Sequence, residues 1–194
     1  AREDFDYDNG NVVGQSSGFG WDFDNSTTND AFIGRTQLAD AWANVEGWPY
    51  IFSKRLTTWN SSAKRQFHAT EADGTFSGTS NYKVVYYRFE MQRSADNVSW
   101  SGLSLYDGNN ERLMFGVPFA QNPSSNRREL GIHNLGANQW NYTGIEPVAG
   151  TKYQIIAKVD YTTGFASLYV NPSLTGGEPG SPNATIAFTN PHGA

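Results

Sequence analysis

The chain has 194 residues, the size of one globular domain, and sets 14 Lys+Arg against 19 Asp+Glu for a net charge of −5. An acidic chain without a basic cluster is poorly built to neutralise phosphates, so nucleic acid is not an expected partner. There is no cysteine, which excludes disulfides, thiolate nucleophiles, zinc–cysteine sites and iron–sulfur clusters, and no apolar run approaches the roughly 18 residues of a spanning helix.

Charged residues make up only 17% of the chain, aromatics reach 14%, and there are 20 glycines. Few charges with many aromatic, β-branched and turn-forming residues is the profile of an all-β domain. A chain of this length buries about 70% of its unfolded surface, enough for a core without staples. The opening Ala1-Arg2-Glu3-Asp4 is not a signal peptide. A secreted or cell-surface location is expected, with the signal already removed.

In chain order, Glu3–Tyr7, Phe32–Arg35, Pro49–Leu56 and Arg65–Thr70 carry weak strand patterns, and Thr36–Asn44 forms at most a short helix. Tyr82–Arg93 is much clearer. Val85, Tyr87, Phe89 and Met91 fall on one face and Tyr86, Arg88, Glu90 and Gln92 on the other, the period of a strand with one buried face. Trp100–Asp107 runs into Asp107-Gly108-Asn109-Asn110, a hairpin signal because Gly and Asn tolerate positive φ. Glu111–Val117 returns, so the three segments predict a β-meander. Pro118–Arg128 is a long polar loop, either a binding or contact element or simply solvated.

Lys152–Asp160 alternates Tyr153, Ile155, Ala157 and Val159 against polar neighbours, and Phe165–Val170 pairs back across Tyr161-Thr162-Thr163-Gly164. Asn171-Pro172 stops that strand, because proline cannot donate to the ladder. Ser173–Pro182 is a Gly/Pro/Ser-rich loop, and Asn183–Phe188 is a last short strand. Neither a linker nor a repeat of 20–50 residues divides the chain, so residues 1–194 are expected to form one domain. About ten short strands between turn clusters predict a two-sheet antiparallel β-sandwich.

Particular residues sharpen this. Asp4-Phe5-Asp6-Tyr7 with Gly14 to Gly20-Trp21 resembles the opening of concanavalin A-like, LamG-type jelly rolls of exported bacterial proteins. Ser101-Gly102-Leu103-Ser104-Leu105-Tyr106-Asp107-Gly108 through Glu111 and Phe115-Gly116 resembles a hairpin of the same group. Tyr153 to Asp160 with Leu168-Tyr169-Val170-Asn171-Pro172 resembles its paired late strands, so the likeness spans residues 4 to about 182. The resemblance implies a jelly-roll fold, with glycan binding as its commonest use; fold does not fix function. Such domains usually finish with a strand that lies beside the first. Here only Thr189–Ala194 follow the Asn183–Phe188 strand. Either that strand is trimmed or omitted, or a neighbouring molecule supplies it at an open sheet edge.

Catalytic patterns are weak. Glycoside hydrolysis needs facing carboxylates, which glucanases of this fold carry as Glu-x-Asp-x-x-Glu, and that triplet is absent. Arg127-Arg128-Glu129-Leu130 with Ile132-His133 invites comparison with alginate-type polysaccharide lyases. However, Gly131 stands where the lyase motif has a second Arg. His68, His133 and His192 have no metal-binding spacing, so a hydrogen-bonded structural role is expected of them. No G-x-S-x-G elbow marks a serine nucleophile.

Asp4, Asp6 and Asp8 share one strand face, either holding a structural Ca²⁺ or forming a solvated acidic edge. An EF-hand loop does not fit, because its glycine is one position late and Gln15 replaces the terminal Glu.

Six tryptophans exceed what the core demands. Indole and phenol rings stack on pyranose faces while amides and guanidinium groups bond the hydroxyls. Trp140, within Gly136-Ala137-Asn138-Gln139-Trp140-Asn141-Tyr142, and Trp59, before Asn60-Ser61-Ser62, have loop-like polar settings. Trp140, Tyr142 and Trp59 are therefore the candidate platforms, with Asn138, Gln139 and Arg127 as hydrogen-bonding partners. Trp21 and Trp100 are read as covering the core. Asn25, Asn60, Asn97, Asn141 and Asn183 match the N-glycosylation pattern, which a chain this rich in Asn, Ser and Thr does by chance.

The expected function is non-catalytic, lectin-like recognition of a polysaccharide. The alternative is a structural subunit of a surface layer, filament or adhesive assembly, self-associating through the open edge; a polysaccharide lyase is third.

Overall fold

The computed structural model describes residues 10–11, 36–40, 54–58, 84–93, 100–107, 110–173 and 178–189. The chain falls into two compact units, Ala1–Thr75 and Phe76–Ala194. The strands expected at Glu3–Tyr7, Phe32–Arg35 and Arg65–Thr70 lie outside the described residues.

In the first unit β1 (Gly10–Asn11), β2 (Thr36–Asp40) and β3 (Lys54–Thr58) form an antiparallel sheet in that order. Leu38 pairs with both Gly10 and Leu56. The short helix expected over Thr36–Asn44 is therefore corrected to a strand over its first half. Gln, Leu and Ala favour a helix locally, but a ladder partner on each side overrides so small a preference. β3 overlaps the end of the expected Pro49–Leu56 strand and continues two residues beyond it.

The second unit is an all-β sandwich of two four-stranded antiparallel sheets, with no helix among the described residues. One sheet contains β4 (Val84–Gln92), β9 (Lys152–Asp160), β10 (Phe165–Val170) and β11 (Ala184–Ala187), in the order β11-β10-β9-β4. The other is ordered β5 (Ser101–Asp107), β6 (Asn110–Val117), β7 (Gly131–Asn134) and β8 (Gln139–Tyr142). The expected meander is corrected: β5 and β6 form their hairpin, but β4 lies in the opposite sheet. It pairs with β9 along its whole length, from Val84↔Asp160 to Gln92↔Lys152. Alternation identifies a strand and its buried face but carries no information about which strand it pairs with.

Inward positions from both sheets fill one interior. Leu113, Phe115, Val117, Leu130 and Ile132 meet Met91, Tyr153, Ile155, Ala157, Val159, Ala166, Leu168, Val170, Ala184 and Ile186. Each of the larger side chains contributes roughly 1.5–3 kcal/mol by leaving water. The β9–β10 turn closes as its sequence implies. Gly164 takes positive φ (70°), and the Asp160 carboxylate accepts from the Thr162 and Thr163 N–H groups at 2.9 and 3.0 Å. Burial alone would raise the Asp160 pKa, but these bonds and nearby Lys158 hold it below the usual carboxylate range.

β11 pairs with β10 on one flank. Its carbonyls also accept bonds from the opposite sheet, Thr185 O from Asn141 Nδ2 at 2.7 Å and Ala187 O from Asn134 Nδ2 at 2.9 Å. These amides occupy carbonyls that an added strand would otherwise use. No helix among the described residues is long and apolar enough to cross a membrane.

Candidate functional site

The outward face of the β5–β8 sheet carries the most unusual chemistry. Leu113, Phe115 and Ile132 point into the core, so strand alternation turns Met114, Gly116, Gly131 and His133 to the other side of the sheet, where all four are nonetheless buried. The register then lines up Ser104, Met114, His133 and Trp140 across the four strands. The neighbouring row is Gly102, Gly116, Gly131 and Tyr142, three of its four positions without a side chain.

Those glycines are required by the backbone. Gly102 and Gly116 face each other at φ +151° and +143°, and a Cβ on either would strike a backbone oxygen of the partner strand, Phe115 O or Ser101 O. A Cβ at Gly131 would come within 2.6 Å of Asn141 O. The result is a strip without side chains between the residue that opens β5 and the His133 row, exposed at Gly102 and buried at Gly116 and Gly131.

Trp100 reaches across this strip. Its backbone has φ +54°, a conformation costing a bulky residue roughly 1–3 kcal/mol. Its indole meets His133 edge-on, with ring centroids 5.8 Å apart, and packs at 6.1 Å against Phe119. On its other side His133 stacks on Trp140 at 4.6 Å and 19°. The rings thus form a continuous chain: Phe119, Trp100, His133, Trp140. The first two rings of this chain are open to solvent, Phe119 at 65% and Trp100 at 44% exposure. His133 is only 5% exposed, neither ring nitrogen has a hydrogen-bond partner, and the Trp140 Nε1 is likewise buried and unpartnered. Burial pushes the His133 pKa down, so the imidazole is neutral at pH 7.

The Pro118–Arg128 loop that carries Phe119 is held from several sides. The buried Glu129 carboxylate accepts from Asn122 Nδ2 at 2.8 Å, Ser125 Oγ at 2.5 Å and Gly144 N at 3.2 Å. Burial alone would raise its pKa, but these bonds together with the Arg127 charge hold it below the usual carboxylate range. Tyr142 OH donates toward Ala120 O and Gln121 O, both at 3.2 Å, and Arg128 NH1 donates to Phe119 O at 2.8 Å.

Of the residues picked from sequence, Trp140 and Tyr142 lie on this face but are not free platforms. Both belong to β8, a strand where a loop-like segment was expected, and both are half-buried. Asn138, at φ +52° in the β7–β8 turn, and Gln139 are exposed beside Trp140. Arg127 is exposed and pairs with Glu146 at 3.6 Å. The hydrogen-bonded role expected of His133 is corrected to a stacked one. Trp59, His68, His192, Trp21, and Asp4, Asp6 and Asp8, the residues considered for a Ca²⁺, lie outside the described residues. Among the described residues no cluster of three His, Asp or Glu could hold a metal.

Trp100 and Phe119 were missed. Trp100 opens a strand and so was read as core cover, although its exposure makes it the broadest open ring of the face. The signal was the glycines at outward positions of adjacent strands, which leave an indole room to lie flat. For Phe119 it was one large apolar residue in an otherwise polar loop. Compared with protein-family models, with curated proteins and with solved structures, the chain matches none in any of the three.

Proposed function

We propose that the chain is a non-catalytic glycan-binding module of a secreted or cell-surface protein, built on a concanavalin A-like jelly roll. The supporting observation is the exposed pair Trp100 and Phe119, fixed 6.1 Å apart on a sheet face that His133 and Trp140 extend. Flat rings in fixed mutual positions suit the C–H faces of successive pyranose units. Polar groups for the hydroxyls stand at the ends, Asn138 and Gln139 beside Trp140 and the amide-rich loop beside Phe119. A bulky residue in left-handed backbone next to the bare strip fits a functional position, since strain of this kind gathers at binding sites.

Among the described residues this face has no facing carboxylate pair for hydrolysis, and its histidine is buried between rings, out of reach of a substrate proton. A lectin-like role therefore fits better than a lyase. The test is affinity electrophoresis against neutral and acidic polysaccharides, with product analysis. Retardation by one class without released oligosaccharide is expected. Trp100→Ala should weaken that binding by about 1–2 kcal/mol, roughly 5- to 30-fold. Unsaturated products absorbing in the ultraviolet would establish the lyase instead.

A further inference from the structure

The outward face of the other sheet carries a second constellation. Alternation along β4, β9 and β10 turns Tyr86, Lys158 and Tyr169 outward, and the register sets Tyr86 beside Lys158, with Tyr169 one row along next to Ile156. All three donate to one carboxylate, that of Glu178 in the loop between β10 and β11. Tyr86 OH reaches Oε2 at 2.6 Å, Lys158 Nζ reaches Oε1 at 2.7 Å, and Tyr169 OH reaches Oε1 at 3.1 Å. The Lys158 ammonium also lies 5.7 Å from the centre of the Tyr86 ring.

One cation would suffice to tether a loop. An ammonium flanked by two phenol hydroxyls, aimed at both oxygens of one group, is a donor set for a carboxylate. Its occupant stands at the surface: the Glu178 side chain is 43% exposed and the Lys158 side chain 22%, above a Tyr169 that is buried at 3%. Exposed ion pairs are weak, so a competing carboxylate can displace it. The Glu178-Pro179-Gly180-Ser181-Pro182 segment makes no strand of its own.

We propose that Tyr86, Lys158 and Tyr169 form a carboxylate cradle for a uronic-acid saccharide, and that Glu178 is its tethered, displaceable occupant. A uronate is favoured over an acidic peptide because Tyr86 is 42% exposed and offers its ring beside the charge. A pyranose laid on that ring brings its C6 carboxylate to Lys158. Arg88, the next outward position on β4 and also exposed, would meet the following uronate of a polymer. This cradle lies on the sheet opposite the aromatic face and stands independently of it.

A site occupied by its own tether shows a weakened apparent affinity, in proportion to the fraction left open. Calorimetric titration with trigalacturonate, a matched neutral trisaccharide and triglutamate tests the assignment. Glu178→Ala should bind trigalacturonate at least about tenfold more tightly than the native chain. The neutral sugar should gain nothing, triglutamate should gain clearly less than trigalacturonate, and Lys158→Met in the Glu178→Ala chain should abolish the gain. Should Glu178→Ala melt early, Glu178→Gln, which keeps the shape and removes the charge, is read in the same way. No gain in a cooperatively melting variant would overturn the proposal. So would an equal gain for triglutamate, or a gain that survives Lys158→Met.

Discussion

Glu129 and His133 are both nearly buried, at 3% and 5% exposure, yet they respond oppositely to their surroundings. Glu129 has three donors and stays charged; His133 has none and stays neutral. Replacing Glu129 with Gln exchanges charge-assisted bonds for weaker ones and leaves one oxygen position as a misplaced donor. A loss of about 1–3 kcal/mol at pH 7 is expected in urea unfolding. Because the folded-state pKa lies below the unfolded value of about 4.3, this contribution is fully present above that value and lost as pH falls through the folded one. The gap between native and Glu129→Gln chains should therefore narrow in acid.

For His133 the neutral form is the one the fold accepts. Below the unfolded pKa of about 6.5 the unfolded chain takes up a proton that the folded chain resists, so stability falls as pH drops from there. His133→Phe removes both that penalty and two unpartnered nitrogens. It should match or exceed the native melting temperature at pH 7.5, and its advantage should widen toward pH 5. A constant difference across that range would remove His133 as the source.

At the scale of elements, the glycine strip decides whether the aromatic face exists. Gly116→Ala places a methyl group against Ser101 O in a backbone conformation that L-residues avoid. The β5–β6 pairing must open to admit it, at a cost of about 1–3 kcal/mol or more, measured as a lower urea midpoint. The strands themselves were legible. Val85, Tyr87, Phe89 and Met91 marked β4, and the Tyr161–Gly164 turn marked the β9–β10 hairpin, because both rest on local signals. Partner choice was not local: β4 pairs with a strand some seventy residues on rather than with its neighbour β5. β8 was obscured because its core-facing positions are the polar Gln139 and Asn141, the latter bonded to a carbonyl of β11 in the opposite sheet. Thr36–Asp40 was obscured because its residues favour a helix until a sheet surrounds them.

For the whole molecule, composition alone indicated the all-β class, and alternation indicated the two-layer arrangement. The candidate site was only half legible. Trp140, Tyr142, Asn138 and Gln139 were found from their polar setting. Trp100 and Phe119 emerged only when the register of four strands brought separate segments onto one face. The same register assembles Tyr86, Lys158 and Tyr169 on the opposite sheet, where no motif announces them. On the aromatic face ring stacking and a few directed hydrogen bonds are the proposed means of recognition, and on the opposite face the Lys158 charge joins them.

The central claim is that the Trp100–Phe119 face binds a saccharide. It is tested most directly by titrating the native chain and Trp100→Ala with the polysaccharide that retards the native chain most, following intrinsic tryptophan fluorescence. A saturable change is expected in the native chain and roughly 5- to 30-fold weaker binding in the variant, with its urea midpoint retained. An unchanged affinity in a folded Trp100→Ala chain would contradict it.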